Sequence, residues 1–310
     1  MAVEQTHTLA PPLAALEDEP RGPSDFQLAI RELKKRPPAM IGLVCLIIVI
    51  LFAIIPGFFS PLDPIDQDLI RYIKPPGFTD KAGNVYHLGT DQQGRDILSR
   101  IIWGSRISLL VGITAVLISG FIGISVGIAA GYFGGWVDTI ISRIVDTALA
   151  VPFILLAITL VAILGPSLQN IILVIALRTW IVYARVVRSE VLSLKEQDFV
   201  MGAKAAGCST FRILAFYLFP NVISTTIVIA TLYLGRMIII ESALSFLGLG
   251  VPPPTPTWGG MLADGRAFLD TAWWIALFPG LVLMVTVLSV NLLGDWLRDV
   301  LDPRMKHTAD

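Results

Sequence analysis

The chain has 310 residues, of which 55% are apolar and only 15% are charged. Its mean hydropathy is +0.74. A soluble domain is about 45–50% apolar and about 25% charged, so this composition excludes an ordinary soluble protein and predicts a polytopic membrane protein. The net charge of −1 also excludes a globally basic nucleic-acid binder.

Residues 1–24 are rich in proline and acidic side chains and predict a disordered cytoplasmic tail. The first charge-free window able to cross a membrane is residues 40–59, because about 20 helical residues span the hydrocarbon layer of about 30 Å. A second long window, 147–177, is divided by a Gly-Pro-Ser break at 165–167 into a tight hairpin of two spans. Six spans are therefore predicted, the remaining windows being 107–137, 213–235 and 271–294.

Basic residues near the span ends predict the orientation of the chain. With six spans, the basic residues at 31–36, 185–212 and 298–306 all fall on one side, which predicts cytoplasmic N- and C-termini. We accordingly divide the chain into four parts. These are the tail 1–24, an N-terminal region 25–106 with the first span and an outer loop, a five-span core 107–303, and a tail 304–310.

A long cytoplasmic loop, residues 193–220, has the pattern of two short helices around a glycine, and is called here the helix–glycine–helix segment. Gly207 predicts the end of the first helix, Ser209 or Thr210 can cap the second, and Pro220 is expected to end or kink that second helix. The predicted apolar faces are Phe199, Val200, Ala203 and Ala206 on the first helix, and Phe211, Leu214 and Leu218 on the second. An amphipathic linker lying on the membrane interface is the alternative reading of this pattern.

Four segments together carry a family resemblance. Ala203, Gly207 and Pro220 match a cytoplasmic signature of Glu-Ala-Ala, three residues, Gly, and a Pro thirteen residues later, although Met201 and Gly202 depart from its first two positions. The other segments are 88–100 (LGTDQQGRDILSR), 242–260 (SALSFLGLG, then PPPTPTWGG from 252) and 291–303 (NLLGDWLRDVLDP). The chain resembles the C-type permease subunit of dipeptide/oligopeptide ABC importers, a group that includes related nickel and glutathione importers.

The resemblance implies an all-α type I ABC importer permease fold in a bacterial or archaeal cytoplasmic (inner) membrane. It implies four kinds of partner: a homologous second permease, two cytoplasmic ATPases, an extracytoplasmic peptide-binding protein and membrane lipid. ATP and Mg would be held by the ATPases, and no cofactor by this chain. Contact with the ATPases is expected at Ala203, Ala205, Ala206, Gly207, Ser209 and Pro220.

Three charged residues fall inside or beside predicted spans: Arg178, Arg236 and Glu241. An ionisable side chain at such a depth needs protein or water around it. Each could therefore line a translocation path or have a structural partner on another span. Small residues also recur every fourth position at Ser119, Gly123, Gly127 and Gly131, which predicts close helix packing, either within the chain or against a partner permease.

Several enzyme motifs are missing from the sequence. It contains no GxxxxGK[ST] phosphate loop and no HExxH, so no catalytic residues, metal ligands or ATP site are predicted in this chain. Two other classes remain as alternatives: an ATP-independent channel or secondary transporter, and an intramembrane enzyme. A channel or secondary transporter does not explain the helix–glycine–helix segment, and ATP dependence of uptake separates it from an importer permease. An intramembrane enzyme would need a pair of catalytic polar residues at matched depth, and Asp146, the acidic residue near the third span, lacks a plausible mate.

Overall fold

The computed structural model describes residues 31–301, so the predicted tails 1–24 and 304–310 lie outside the described part. Short strands β1 (Phe78–Thr79) and β2 (Val85–Tyr86) pair antiparallel in the loop before α3. The helices in chain order are α1 Pro37–Ile54, α2 Pro56–Phe59, α3 Ile97–Phe133, α4 Gly135–Ala150, α5 Phe153–Leu164, α6 Leu168–Leu194, α7 Asp198–Ala205, α8 Thr210–Phe246, α9 Trp258–Gly265 and α10 Trp274–Leu301.

Five helices, α1, α3, α6, α8 and α10, are each long and apolar enough to cross a membrane. Helices α4 and α5 qualify only together, and they are bent by 89° at their junction. Pro152 stands at that junction, where its ring disfavours a continuous helix. Helix α5 alone has 12 residues, or about 18 Å. The described residues therefore contain five continuous helices able to cross a membrane, and the predicted sixth crossing is reached when the bent pair α4–α5 counts as one broken span.

Among the predicted span boundaries that differ from the observed helices, two have a clear local cause. Helix α1 stops before Ile55 because Pro56 follows, and the residue before a proline disfavours helical backbone angles. Helix α3 begins at Ile97, ten residues before the predicted span. It does so because the Asp96 carboxylate caps it by accepting a hydrogen bond of 2.8 Å from the backbone N–H of Ser99. The proposed boundary at residue 106 thus falls inside α3.

The small-residue stripe of α3 packs against α6 of the same chain. A Cβ atom on Gly123 would lie 2.5 Å from the carbonyl oxygen of Trp180, and one on Gly127 would lie 2.8 Å from that of Ala184. Such distances leave room only for hydrogen at these positions. The stripe is therefore used for packing within the chain, which decides between the two readings left open by the sequence.

The bundle has two distinct ends. At one end, Arg36 before α1 pairs with Asp299 in α10, and the helix–glycine–helix segment lies at this same end, beside the last turn of α3. At the opposite end, the loop 60–96 and α9 form what we call the cap. The two ends of the described chain therefore lie on one side of the bundle, as an even number of crossings requires.

The cap is held together by buried polar contacts. The Arg95 guanidinium pairs with the Asp91 carboxylate at 2.7 Å and reaches Asp264 in α9 at 3.3 Å. Trp258 is fully buried and donates its indole N–H to the carbonyl oxygen of Ile101 at 3.0 Å. Burial raises the pKa of the Asp96 carboxyl, although hydrogen bonds from Ser99 act in the opposite direction. The sequence motifs 88–100 and 242–260 thus both contribute to the internal packing of the cap.

Candidate functional site

The first half of the helix–glycine–helix segment ends as the sequence predicts. Helix α7 closes with two backbone hydrogen bonds of 3.0 Å, from Cys208 N–H to the Ala203 carbonyl and from Gly207 N–H to the Lys204 carbonyl. This pair is a Schellman motif, which needs a left-handed residue, and Gly207 has a φ of +77°. The predicted role of Gly207 as a helix stop is confirmed.

The second half of the segment begins with a predicted N-cap residue, but a π-helical turn follows in place of a regular short α-helix. The Ser209 hydroxyl accepts a hydrogen bond from the backbone N–H of Arg212, so Ser209 rather than Thr210 is the cap. A π-helical turn, Ile213–Leu218, follows and leads directly into the rest of α8.

Pro220 does not end the helix, and that part of the prediction is wrong, because Thr210–Phe246 is one continuous helix. Pro220 stands in the first turn of the α-helical part that begins at Phe219, just after the π-helical turn, where a missing N–H costs least. The Asn221 side-chain amide also donates to the Tyr217 carbonyl at 2.5 Å and helps to satisfy this turn. Helix α8 therefore runs from the helix–glycine–helix segment to the cap without a break.

The apolar faces differ in part from the prediction. Val200 and Ala203 are buried, but Phe199 and Ala206 are exposed. The reason is that α7 has only two turns, and one narrow stripe of it touches the bundle. This stripe belongs to a core cluster with buried residues from α3, α6 and α8, namely Ile128, Val187, Val191, Ile213, Leu218 and Val222.

In the second half, Leu218 is buried and Leu214 is partly buried, but Phe211 is 75% exposed and Ile213 takes its place. Ile213 and Leu218 are five residues apart, which is the hydrogen-bonding interval of a π-helix. Because of the π-helical turn, the buried side chains are not the ones that an α-helical period predicts.

The exposed part of the segment includes a strip of small residues, and two aromatic rings near the start of α8 are also exposed. A Cβ atom at Gly202 or Gly207 would meet no atom within 4 Å. Phe211 and Phe216, near the start of α8, are 75% and 70% exposed. The exposed residues are Gly202, Ala205, Ala206, Gly207 and Ser209, whereas Ala203 is buried and acts as an anchor. A surface of this shape lets another backbone approach closely while the aromatic rings supply apolar contact area.

Glu241 is fully buried inside the chain. Its carboxylate accepts hydrogen bonds from the Ser245 hydroxyl at 2.8 Å and from the Ser108 hydroxyl of α3 at 3.1 Å. It therefore links α8 to α3, which supports the structural alternative, and a place for Glu241 in the translocation path stays a prediction. The sequence had left a structural partner on another span as the alternative, and Ser108 is that partner.

The two arginines differ from Glu241 in exposure. Arg236 is exposed, and its guanidinium lies 5.5 Å from the ring centroid of Tyr233 on the same helix. Arg178 is half-buried on α6. Neither forms an ion pair with another residue in the range 31–301. Their assignment to the translocation path stays a prediction.

Sequence reasoning missed two sets of contacts. One is the cap network of Asp91, Arg95 and Asp264, whose last member is distant in the chain. The other joins Lys195 and Lys204 of the helix–glycine–helix segment to the last turn of α3. A spacing of about 60–170 residues between partners leaves no local pattern by which a sequence could reveal them.

A bundle of long apolar helices with an exposed helix–glycine–helix segment at one end is the architecture that the resemblance to a multi-pass ABC transporter permease predicts. The family model described as "Binding-protein-dependent transport system inner membrane component" matches residues 123–307. A second model, the "N-terminal TM domain of oligopeptide transport permease C", matches residues 24–76. The chain belongs to the family of binding-protein-dependent transport system inner membrane components.

Curated relatives and a solved structure agree with this family. The chain is 44% identical over 290 residues to the dipeptide transport system permease protein DppC of Alkalihalophilus pseudofirmus, covering 94% of this chain and 93% of the relative. It is 42% identical to DppC of Haemophilus influenzae, over 88% of this chain and 93% of that one.

It is also similar in fold to a chain of the MetNI methionine ABC transporter, with a TM-score of 0.52 and 18% identity, over 66% of this chain and 97% of that one. The predicted family and fold are confirmed.

Proposed function

We propose that this chain is the permease subunit of an ABC importer that carries dipeptides or oligopeptides into the cytoplasm. Partner ATPases would drive it by docking on the helix–glycine–helix segment. The observation that carries the proposal is the shape of that segment: an exposed strip of small residues whose other side is anchored in the cluster shared by α3, α6 and α8. A force applied to such a surface reaches several membrane helices at once.

The remaining parts of the importer are proposed from the same family membership. A homologous second permease would complete the membrane path, and an extracytoplasmic binding protein would deliver cargo to the cap end. Two cytoplasmic ATPases would hold ATP and Mg. In this arrangement both termini face the cytoplasm of a bacterial or archaeal cell, and the membrane is its cytoplasmic (inner) membrane.

Peptide cargo is supported by the relatives, which are named as dipeptide permeases and, in Pseudomonas aeruginosa, as a di/tripeptide permease at 41% identity. Nickel or glutathione is the alternative cargo within the same group of importers. Uptake assays with each cargo and the cognate binding protein separate these alternatives, because only the true cargo supports ATP-dependent accumulation.

The docking surface is tested by isolating the complex from its own cells. A tagged chain is solubilised in mild detergent after crosslinking, and co-purifying proteins are quantified by mass spectrometry. Gly207→Glu places a charged side chain in the centre of the exposed strip and should deplete the ATPases about tenfold while the second permease is retained.

A matched control separates the loss of docking from backbone strain. Gly83 in the loop before α3 also has a positive φ, of +88°, with open space around it, so Gly83→Glu introduces the same charge and a similar strain at the opposite end. The Gly83 variant should retain the ATPases. Equal ATPase recovery from the Gly207 variant and from the native chain would contradict the proposed docking surface.

A further inference from the structure

The helix–glycine–helix segment holds a helix to which it has no direct chain connection. Along the chain it joins only α6 and α8. Two of its lysines nevertheless reach the last turn of α3. The Lys195 ammonium donates a hydrogen bond of 3.0 Å to the carbonyl oxygen of Gly131, and the Lys204 ammonium lies 5.1 Å from the ring centroid of Tyr132.

The Gly131 carbonyl is well suited to a cation. It belongs to the last four residues of α3, whose carbonyls have no partner within the helix and form the negative end of its dipole. Gly131 is also where α6 comes closest to this turn, since a Cβ atom there would lie 2.8 Å from Cβ of Val191. The close approach of the two backbones brings Lys195, one turn after Val191, within reach of the carbonyl.

The second contact uses a different kind of attraction. An ammonium group over an aromatic ring is held by the negative face of the ring. Tyr132 also packs against the core cluster that anchors α7 through Val200 and Ala203. Lys195 follows the last residue of α6 and Lys204 lies in the last turn of α7, so that contacts to α3 stand before and after the buried stripe of α7.

Helix α3 connects the two ends of the bundle and is as long as α8. Its 37 residues extend about 55 Å, from the cap to the two lysines. At the cap end, the Asp96 side chain caps the helix, and Arg100 lies beside Asp91 and Asp264. Because these contacts hold α7 to α3, a displacement of α7 is carried along the axis of α3 to the cap.

We propose that Lys195 and Lys204 are positioning residues that couple the ATPase-docking surface to α3, and through α3 to the cap. The proposal rests on the proposed function, because it assumes that the helix–glycine–helix segment receives the ATPases. The chain connects the segment directly to α6 and α8, so a movement of the segment moves these two helices. The lysine contacts add α3 as a third helix that moves with the segment. The two lysines act through α3 and touch neither nucleotide nor cargo.

The test uses the complete importer reconstituted in proteoliposomes, with dipeptide transport and ATP hydrolysis measured on the same sample. The double variant Lys195→Met, Lys204→Met keeps the apolar stems and removes both charges. We expect near-native ATP hydrolysis and about tenfold less dipeptide transported per ATP, the change that corresponds to a loss of about 1.4 kcal/mol of coupling free energy. A purely structural role would lower the yield of complex but leave the transport per ATP unchanged.

Arginine substitutions provide the rescue. Lys195→Arg with Lys204→Arg retains a donor for the Gly131 carbonyl and a cation over Tyr132, so transport per ATP should return to near the native value. Lys81→Met is the matched control, because Lys81 is an exposed lysine in the loop before α3. An unchanged transport per ATP in the double Met variant, or an equal loss in the Arg variant, would overturn the proposal.

Two additions keep the result decisive. If the double Met variant does not assemble, the exposed Lys204 can be changed alone, and Lys204→Met should reduce transport per ATP about threefold. No change in that variant would also contradict the proposal. Gly207→Glu is assayed in parallel: if it leaves uptake and ATPase binding intact, the proposed function fails, whereas if only the lysine variants are neutral, the α3 coupling alone fails.

Discussion

The packing of α3 on α6 gives a quantitative prediction at Gly123. A Cβ atom there would lie 2.4 Å from Cβ of Tyr183 and 2.5 Å from the carbonyl oxygen of Trp180, whereas ordinary van der Waals contact begins at 3.4 Å. Gly123→Ala therefore forces the two helices apart by about 1 Å. Overpacking of this kind costs about 1–3 kcal/mol, and the helix propensity of alanine returns up to about 1 kcal/mol.

Gly120 provides the matched control on the same helix. A Cβ atom at Gly120 would meet Cε1 of Tyr183 at 3.8 Å, which is an ordinary contact. Gly120→Ala should therefore be neutral or stabilising by up to about 1 kcal/mol, while Gly123→Ala should lower the free energy of unfolding by about 1–2 kcal/mol.

The measurement is the unfolding of the purified chain in mixed micelles, titrated with SDS and followed by tryptophan fluorescence. The reasoning predicts a lower midpoint for Gly123→Ala and a native or higher midpoint for Gly120→Ala. Equal midpoints for the two variants, or a larger loss at Gly120, would refute the account of α3–α6 packing.

Buried polar contacts and the Gly207 turn give three more predictions. Glu241→Leu leaves serine hydroxyls without their acceptor and should cost about 1–3 kcal/mol in the same SDS titration, whereas Glu241→Gln should cost less; equal costs would contradict the hydrogen-bonded role. Asp91→Asn weakens the buried pair with Arg95 and should lower the free energy of unfolding by about 3 kcal/mol. The measurement is the amount of folded protein in membranes. The exposed Asp66→Asn is the control and should lower the free energy of unfolding by less than about 1 kcal/mol. Gly207→Ala strains the left-handed turn by about 1 kcal/mol but should still co-purify with ATPases, unlike Gly207→Glu; ATPase loss in both variants would assign the effect to strain.

Most of the fold could be predicted because local patterns determine it. Charge-free windows locate the spans, Gly207 and Ser209 carry their own turn and capping chemistry, and the break at 165–167 separates α5 from α6. Each of these signals lies within a few residues of the feature it produces, which is why a single sequence reveals it.

The rest depends on tertiary contacts that the sequence does not encode locally. The π-helical turn at Ile213–Leu218 changed which side chains of the second helix are buried, so Ile213 rather than Phe211 faces the core. Whether Glu241 faced a path or another helix depended on Ser108, which is 133 residues away. The two lysines that hold α3 likewise became visible only when α3 and α7 were placed side by side.

The central claim is that this permease imports peptides with energy from partner ATPases. Its most direct test is the uptake of a radiolabelled dipeptide into proteoliposomes that contain the complete importer and its binding protein. The account predicts accumulation only when ATP and Mg are present on the cytoplasmic side, and loss of accumulation in Gly207→Glu. Equal uptake with and without ATP would contradict it and support a channel or secondary transporter, and ATP-driven uptake of nickel or glutathione but not of dipeptides would contradict the peptide cargo.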